Sequence, residues 1–160
     1  MKSSYKVGFS FGTVSGVIST LGLMVGLDSG TDSRLAVVGG IVMIAIADSF
    51  SDALSMHVSE EWQKSTNDKS IWQMTIATFV SKVIIALSFL VPFPFLEMPQ
   101  AIIVNIIWGM SLIVAINYFV AKSRGVPVAK IIIEHLLVAF LVIVITYLVG
   151  WAVRDYLLGL

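Results

Sequence analysis

One segment of the sequence places acidic side chains at regular intervals inside an otherwise apolar stretch. Residues 47–61 read ADSFSDALSMHVSEE, in which Asp48, Asp52, Met56 and Glu60 follow one another at steps of four. Residues four apart lie on nearly the same face of an α-helix, and twelve residues of helix rise by about 18 Å. The spacing therefore predicts a polar stripe along one helix face.

The stripe has the chemistry of a path for cations. Carboxylates inside a bilayer are costly unless they are paired, hydrated or protonated, so they normally face a bundle interior or a water-filled path. Carboxylate oxygens suit divalent cations, and a thioether adds a softer ligand that magnesium does not need. We therefore take Asp48, Asp52, Met56 and Glu60 as candidate metal ligands. The combination favours a borderline transition metal such as ferrous iron.

A lysine in the next helix offers a structural explanation for the same carboxylates. Reflecting the helix 2 to helix 3 hairpin about residue 66 puts Lys82 level with about residue 50, within reach of Asp48 or Asp52. The lysine is compatible with a purely structural ion pair and also with transport, because a buried lysine can compete with a cation or respond to protons. Taken alone, Met56 is a common core residue.

Two histidines are further candidates for the path or for coupling. His57 points about 100° away from Met56, so it is interpreted as a hydrogen-bonded interface residue, with proton linkage as the alternative. Glu134 and His135 are predicted at a depth similar to that of Asn117 on the preceding helix. We interpret these three as an interhelical hydrogen-bond network, with a proton or ion route as the alternative.

The composition is that of an integral membrane protein. Of 160 residues, 58% are hydrophobic and 12% are charged, and the mean hydropathy is +0.96. Zero net charge gives no indication of nucleic-acid binding. The chain has no cysteine, no glycine-rich phosphate loop and no HExxH motif, so we predict neither an enzyme nor a bound cofactor.

Apolar segments of spanning length predict an all-α fold with five transmembrane helices in a single domain, residues 1–160. The breaks between them contain glycine, proline and small polar residues, and their shortness favours antiparallel neighbours. The predicted helices cover about residues 8–27, 35–61, 71–91, 100–121 and 128–151.

The distribution of basic residues predicts the orientation. The N-terminus and the second and fourth loops contain seven lysines and arginines, against two on the other side, which places the N-terminus in the cytosol and the C-terminus outside. A short chain of this kind fits a prokaryotic inner membrane. The seven are Lys2, Lys6, Lys64, Lys69, Lys122, Arg124 and Lys130, and the two are Arg34 and Arg154.

Helix 1 has one face almost without side chains. Gly8, Gly12 and Gly16 recur at steps of four, followed by Gly22 and Gly26. Backbones can approach closely along such a face. The partner is either another helix of the same chain or a second copy across a dimer seam.

Three segments resemble the vacuolar iron transporter family. GTVSGVISTLGLMVGL, residues 12–27, is similar to the family's glycine-rich first helix, and DALSMHVSEE, residues 52–61, resembles its motif of alanine, serine, methionine and glutamate. VPFPF, residues 91–95, is similar to the proline-rich end of the third helix. Because the five predicted spans, the cytosolic N-terminus and the outer C-terminus also fit the family, the resemblance covers nearly the whole chain.

The resemblance implies a homodimer with an ion path between the subunits, lined by helices 1 and 2, in which divalent iron is exchanged for protons. Met56 and Glu60 match the motif methionine and glutamate. The chain also departs from the family. Asp52 stands where a small residue is usual, Ser15 replaces the helix 1 aspartate, and about ten residues replace the carboxylate-rich cytosolic extension between helices 2 and 3.

Two functions follow as hypotheses. The first is a homodimeric secondary transporter that moves ferrous iron or manganese out of the cytosol, coupled to protons. The second is a membrane scaffold or interaction subunit without transport, in which Lys82 neutralises the carboxylates. A third hypothesis is a carrier of another solute, for which the serine at position 15 is the only indication.

Overall fold

The computed structural model describes residues 3–63 and 66–159, and every regular element within these ranges is helical. Each of the five long helices is long and apolar enough to cross a membrane, as predicted. Lys2 and Lys64, which enter the orientation prediction, lie outside the described residues. The helices are α1 (Ser3–Thr31), α2 (Arg34–Glu61), α3 (Asp68–Ser88), α4 (Met98–Arg124) and α5 (Val128–Ala152), followed by a π-helical turn, Val153–Leu158.

Helix α1 extends beyond its predicted bounds at both ends, and α3 ends three residues before its predicted end. The helix stops at Ser88, and turns replace the predicted last residues because Pro92 and Pro94 lack N–H groups and restrict the residues before them. The carbonyl of Phe89 then has a side-chain partner, since Asn105 Nδ2 of α4 donates to it at 2.9 Å. Asn105 is fully buried, and this bond explains its place in an apolar helix.

Side-chain caps keep the connections short. Ser33 Oγ accepts a hydrogen bond from the Ala36 N–H at the start of α2, and Asn67 Oδ1 accepts one from the Ser70 N–H at the start of α3. Gly125 ends α4 in the left-handed conformation, with φ of 65°. These three connections therefore return the chain into the next helix within a few residues, whereas nine residues separate α3 from α4.

Helix α1 lies at the centre of the bundle and packs against the other four helices. Its glycines explain this position. A Cβ on Gly8 would lie 2.2 Å from the carbonyl oxygen of Met74, and one on Gly12 would lie 2.4 Å from that of Thr78. Along this part of α1 the glycine face is therefore covered by α3 of the same chain, which is the first of the two predicted alternatives.

The apolar core surrounds α1, and the outer surface of the bundle is apolar as well. Val17, Leu21 and Met24 have no exposed surface, and they belong to the same buried cluster as Ile41 and Phe89. In contrast, only two residues of α5 are buried, although it is the most hydrophobic of the helices. A surface of large exposed apolar side chains is suited to hydrocarbon rather than water.

The start of α1 lies at the same end of the bundle as the ends of α2 and α4, as expected for antiparallel neighbours. Ser4 near the start of α1 lines a cavity with Glu60 at the end of α2, and Lys6 lines another with Lys122 at the end of α4. At the opposite end, Arg34 Nη2 donates to the carbonyl of Leu96 at 3.2 Å. We call the first of these ends the N-terminal end of the bundle.

Candidate ion site

A buried lysine of α3 lies between two aspartates of α2. The Lys82 side chain is 1% exposed, and its Nζ lies 2.5 Å from Asp48 Oδ2 and also donates to Asp52 Oδ2. The two aspartates reach one ammonium because residues four apart share a helix face. The hairpin reflection placed Lys82 beside one or the other, and the structure pairs it with both.

Helix α1 contributes the fourth member of this group. Ser15 Oγ donates to Asp52 Oδ2 at 2.5 Å and accepts a hydrogen bond from Lys82 Nζ at 3.1 Å. The next residue, Gly16, allows this approach, since a Cβ there would lie 3.2 Å from Lys82 Cγ. We call Ser15, Asp48, Asp52 and Lys82 the carboxylate–lysine cluster.

The cluster contains two carboxylates and one ammonium, so its formal charge is −1 when all three are ionised. Burial is uneven, because the side chains of Asp48 and Asp52 are 31% and 20% exposed whereas that of Lys82 is almost fully enclosed. The cation thus lies inside the bundle and the anions lie at its edge. A positive ion can approach the carboxylates from that open side without passing the lysine.

Met56 and Glu60 lie further along α2, away from the cluster. Met56 is half-buried, and Glu60 lies near the end of the helix, where its carboxylate accepts hydrogen bonds from Gln63 Nε2 at 3.2 Å and Thr66 Oγ1 at 3.3 Å. Glu60 also lines a cavity of about 270 Å³ at the N-terminal end of the bundle. Its surroundings are polar and accessible.

The four predicted metal ligands do not form one coordination sphere. Among the described residues, no group of three or more aspartate, glutamate or histidine side chains is close enough to hold an ion. The reason is helix geometry, since each step of four residues advances about 6 Å along the axis. The stripe is a series of separate positions, and Lys82 occupies the one between Asp48 and Asp52.

His57 joins α2 to α3. Its Nδ1 lies 3.0 Å from Thr75 Oγ1, a hydroxyl that also lies 2.9 Å from the carbonyl oxygen of Ile71. Nε2 lies 3.4 Å from Glu61 Oε1, and the ring packs edge-on against Trp72. The structure thus places His57 in the contact between α2 and α3, and its part in proton linkage stays a prediction. Thr75 was not predicted from the sequence, although the reflection about residue 66 pairs positions 57 and 75.

The predicted interhelical network at Glu134, His135 and Asn117 is wrong. Asn117 Nδ2 donates to the carbonyl of Ile113, and His135 Nδ1 bonds the carbonyl of Ile131, each four residues earlier in the same helix. Local carbonyls compete successfully because they lie within reach whatever the neighbouring helix does. The three residues do line a common cavity of about 420 Å³, and Ser15 lies in its wall as well.

Comparisons of the chain with protein families, with characterised proteins and with solved structures find no match. The resemblance to the vacuolar iron transporter family therefore stays a prediction from the sequence motifs, and the site has to be interpreted from its own geometry.

Proposed function

We propose that the protein is a homodimeric secondary transporter that moves a divalent transition metal, ferrous iron or manganese, out of the cytosol in exchange for protons. The observation that carries the proposal is the carboxylate–lysine cluster, in which one enclosed ammonium faces two carboxylates at the edge of the bundle.

The charge of the cluster supports binding of a cation. One carboxylate would suffice to neutralise Lys82, so the second leaves a net negative charge among apolar helices, where charge is costly. A divalent ion held by Asp48 and Asp52 would match the charge of these two carboxylates, and the cluster as a whole would carry +1 as long as Lys82 stays protonated. The ion and the ammonium compete for the same oxygens, and the long flexible lysine side chain allows withdrawal.

The remaining residues of the stripe support a route to the cluster. Glu60 lies by a cavity at the N-terminal end of the bundle, which the basic residues assign to the cytosol, and is suited to capture of cations there. Met56 lies between Glu60 and Asp52 and offers a soft ligand on the way. Protons arriving from the outside would compete for the same carboxylates during release.

A second copy would complete the site. The open sides of Asp48 and Asp52 cannot face lipid at low cost, and Ser51 and Ser55, three residues further along the same side of α2, are exposed as well. A partner subunit packed on α2 would shield the carboxylates and enclose a path between the two copies.

The inner membrane of a prokaryote is the proposed location.

Metal flux into liposomes tests the proposal. Purified wild-type protein and the Asp52→Asn variant are reconstituted, and entry of ferrous iron and manganese is followed with and without a pH gradient. We expect gradient-dependent flux in the wild type and none in Asp52→Asn, because the variant loses one of two carboxylate ligands. Asp68→Asn, which alters an exposed carboxylate at the start of α3, should retain flux. Full flux in Asp52→Asn would refute the assigned site.

A specific observation also favours the scaffold hypothesis. Lys82 contacts both carboxylates and Ser15, so these groups already satisfy one another without a metal. On this alternative the purified protein binds no manganese in detergent and is silent in liposomes where a known carrier works. If the protein transports a different solute and no metal, the third hypothesis holds, and the serine at position 15 accompanies a change of substrate.

A further inference from the structure

A groove between α1 and α4 combines an apolar floor with a basic rim. Its cavity measures about 430 Å³ and lies at the N-terminal end of the bundle. The apolar part is formed by Phe9, Ile116 and Phe119, and the rim by Lys6 and Lys122. The basic rim is not needed for the cluster, since neither lysine belongs to the path proposed above.

The two lysines are not used by the fold itself. Within the described part of the chain, neither forms an ion pair with a carboxylate, and no acidic residue lines the groove. Lys122 Nζ lies 5.8 Å from the ring centre of Tyr118, a contact that holds the ammonium beside the groove without neutralising it. Two positive charges therefore border an apolar groove and face outward.

A second groove of similar size lacks this combination. It lies between α1 and α5, measures about 440 Å³, and is lined by Leu23, Leu27 and Val149 together with small residues, with no charged side chain. Both grooves have room for an acyl chain, but only the one between α1 and α4 also offers cations. The chemistry that matches it is an apolar tail joined to a phosphate.

We propose that the groove between α1 and α4 binds an anionic phospholipid, with its acyl chain along Phe9, Ile116 and Phe119 and its phosphate between Lys6 and Lys122. Basic pockets between transmembrane helices recognise anionic headgroups in this way, and phosphate accepts hydrogen bonds from ammonium groups at the bilayer surface. Bound lipid would join the start of α1 to the end of α4, which are far apart in the chain.

Lipid-dependent stability tests the proposal. The unfolding temperature of the protein in detergent is followed while phosphatidylglycerol or phosphatidylcholine with identical acyl chains is added, and an apparent affinity is obtained from its rise with lipid concentration. We expect phosphatidylglycerol to bind the wild-type protein more tightly than phosphatidylcholine does. In Lys6→Gln/Lys122→Gln the affinity for phosphatidylglycerol should fall about thirtyfold, because the phosphate loses both of its ammonium partners.

Matched variants separate a site from general surface charge. Lys69→Gln/Lys130→Gln removes two charges from the same end of the bundle outside the groove and should leave the affinity unchanged, and Lys6→Arg/Lys122→Arg should retain it. An equal loss in Lys69→Gln/Lys130→Gln would overturn the proposal in favour of unspecific attraction. Equal protection by glycerophosphoglycerol, which lacks acyl chains, would overturn it in favour of a simple phosphate site. Unfolding without lipid shows that each variant is folded.

Discussion

At the scale of single residues, Lys82 determines the character of the candidate site. It is the one charged side chain among the described residues that is fully buried, and its ammonium is the cationic partner of both Asp48 and Asp52. A buried charge that loses its partner is strongly destabilising, whereas removal of the whole group can be neutral. The effect of removing the lysine on stability therefore tests whether Lys82 neutralises the two aspartates.

Lys82→Met should destabilise the protein by about 3–5 kcal/mol, because it leaves two carboxylates without a cation in an apolar bundle. Thermal unfolding in detergent measures the change. Adding Asp48→Asn and Asp52→Asn to Lys82→Met should restore most of the lost stability. The control Lys69→Met, which alters an exposed lysine of the same helix, should change the stability little. A Lys82→Met protein as stable as the wild type would show that the lysine does not neutralise the aspartates.

At the scale of the helices, the glycines of α1 decide which elements can lie against the site. Close approach of α1 to α3 brings Ser15 within hydrogen-bonding distance of Lys82 and Asp52. The contact at Gly8 is made with backbone atoms of α3, which cannot move aside as a flexible side chain does. The sequence showed a small-residue face on α1, and the structure shows which neighbour uses it.

Gly8→Ala should destabilise the bundle by about 1–3 kcal/mol, the usual cost of overpacking, because the added Cβ would lie 2.2 Å from the Met74 carbonyl oxygen. Gly39→Ala is the matched control, since nothing lies within 4 Å of the position of its Cβ. There the higher helix propensity of alanine should stabilise α2 by about 0.5–1 kcal/mol. Thermal unfolding of the two variants side by side distinguishes these outcomes, and equal effects would contradict the packing of α1 on α3.

At the scale of the whole molecule, the basic residues predict the direction in which the bundle crosses the membrane. The ends of the helices alternate, so a single experimental assignment orients all five. The absence of cysteine from the sequence makes this assignment simple, because an introduced cysteine is the only thiol. Gln63 lies exposed between α2 and α3, and Glu97 lies exposed before α4, where its side chain makes no capping hydrogen bond.

In intact cells, Glu97→Cys should react with a membrane-impermeant maleimide, whereas Gln63→Cys should react only after the membrane is permeabilised. This follows if the excess of lysine and arginine keeps the N-terminal end of the bundle in the cytosol. Mass spectrometry of the labelled protein measures the reaction. Labelling of Gln63→Cys alone would reverse the orientation and place Glu60 on the outside.

The sequence by itself determined the five helices and the spacing of the stripe. Spanning length depends on local hydropathy, and the alignment of Asp48 with Asp52 depends on the 3.6-residue repeat, so neither needs information from distant residues. The depth of Lys82 also followed from the sequence, because a short hairpin loop fixes the level of residues on adjacent helices. The same reflection pairs positions 57 and 75, but the contact of His57 with Thr75 was not predicted.

Only the tertiary structure decided which groups meet at each level. Lys82 reaches both aspartates, α3 covers the first glycines of α1, and His135 and Asn117 bond their own helices instead of each other. These outcomes depend on the rotation of each helix about its axis and on its lateral neighbours. In a membrane bundle both the interior and the outer faces are apolar, so hydrophobic patterning specifies rotation poorly, and packing of small residues and pairing of polar groups decide it instead.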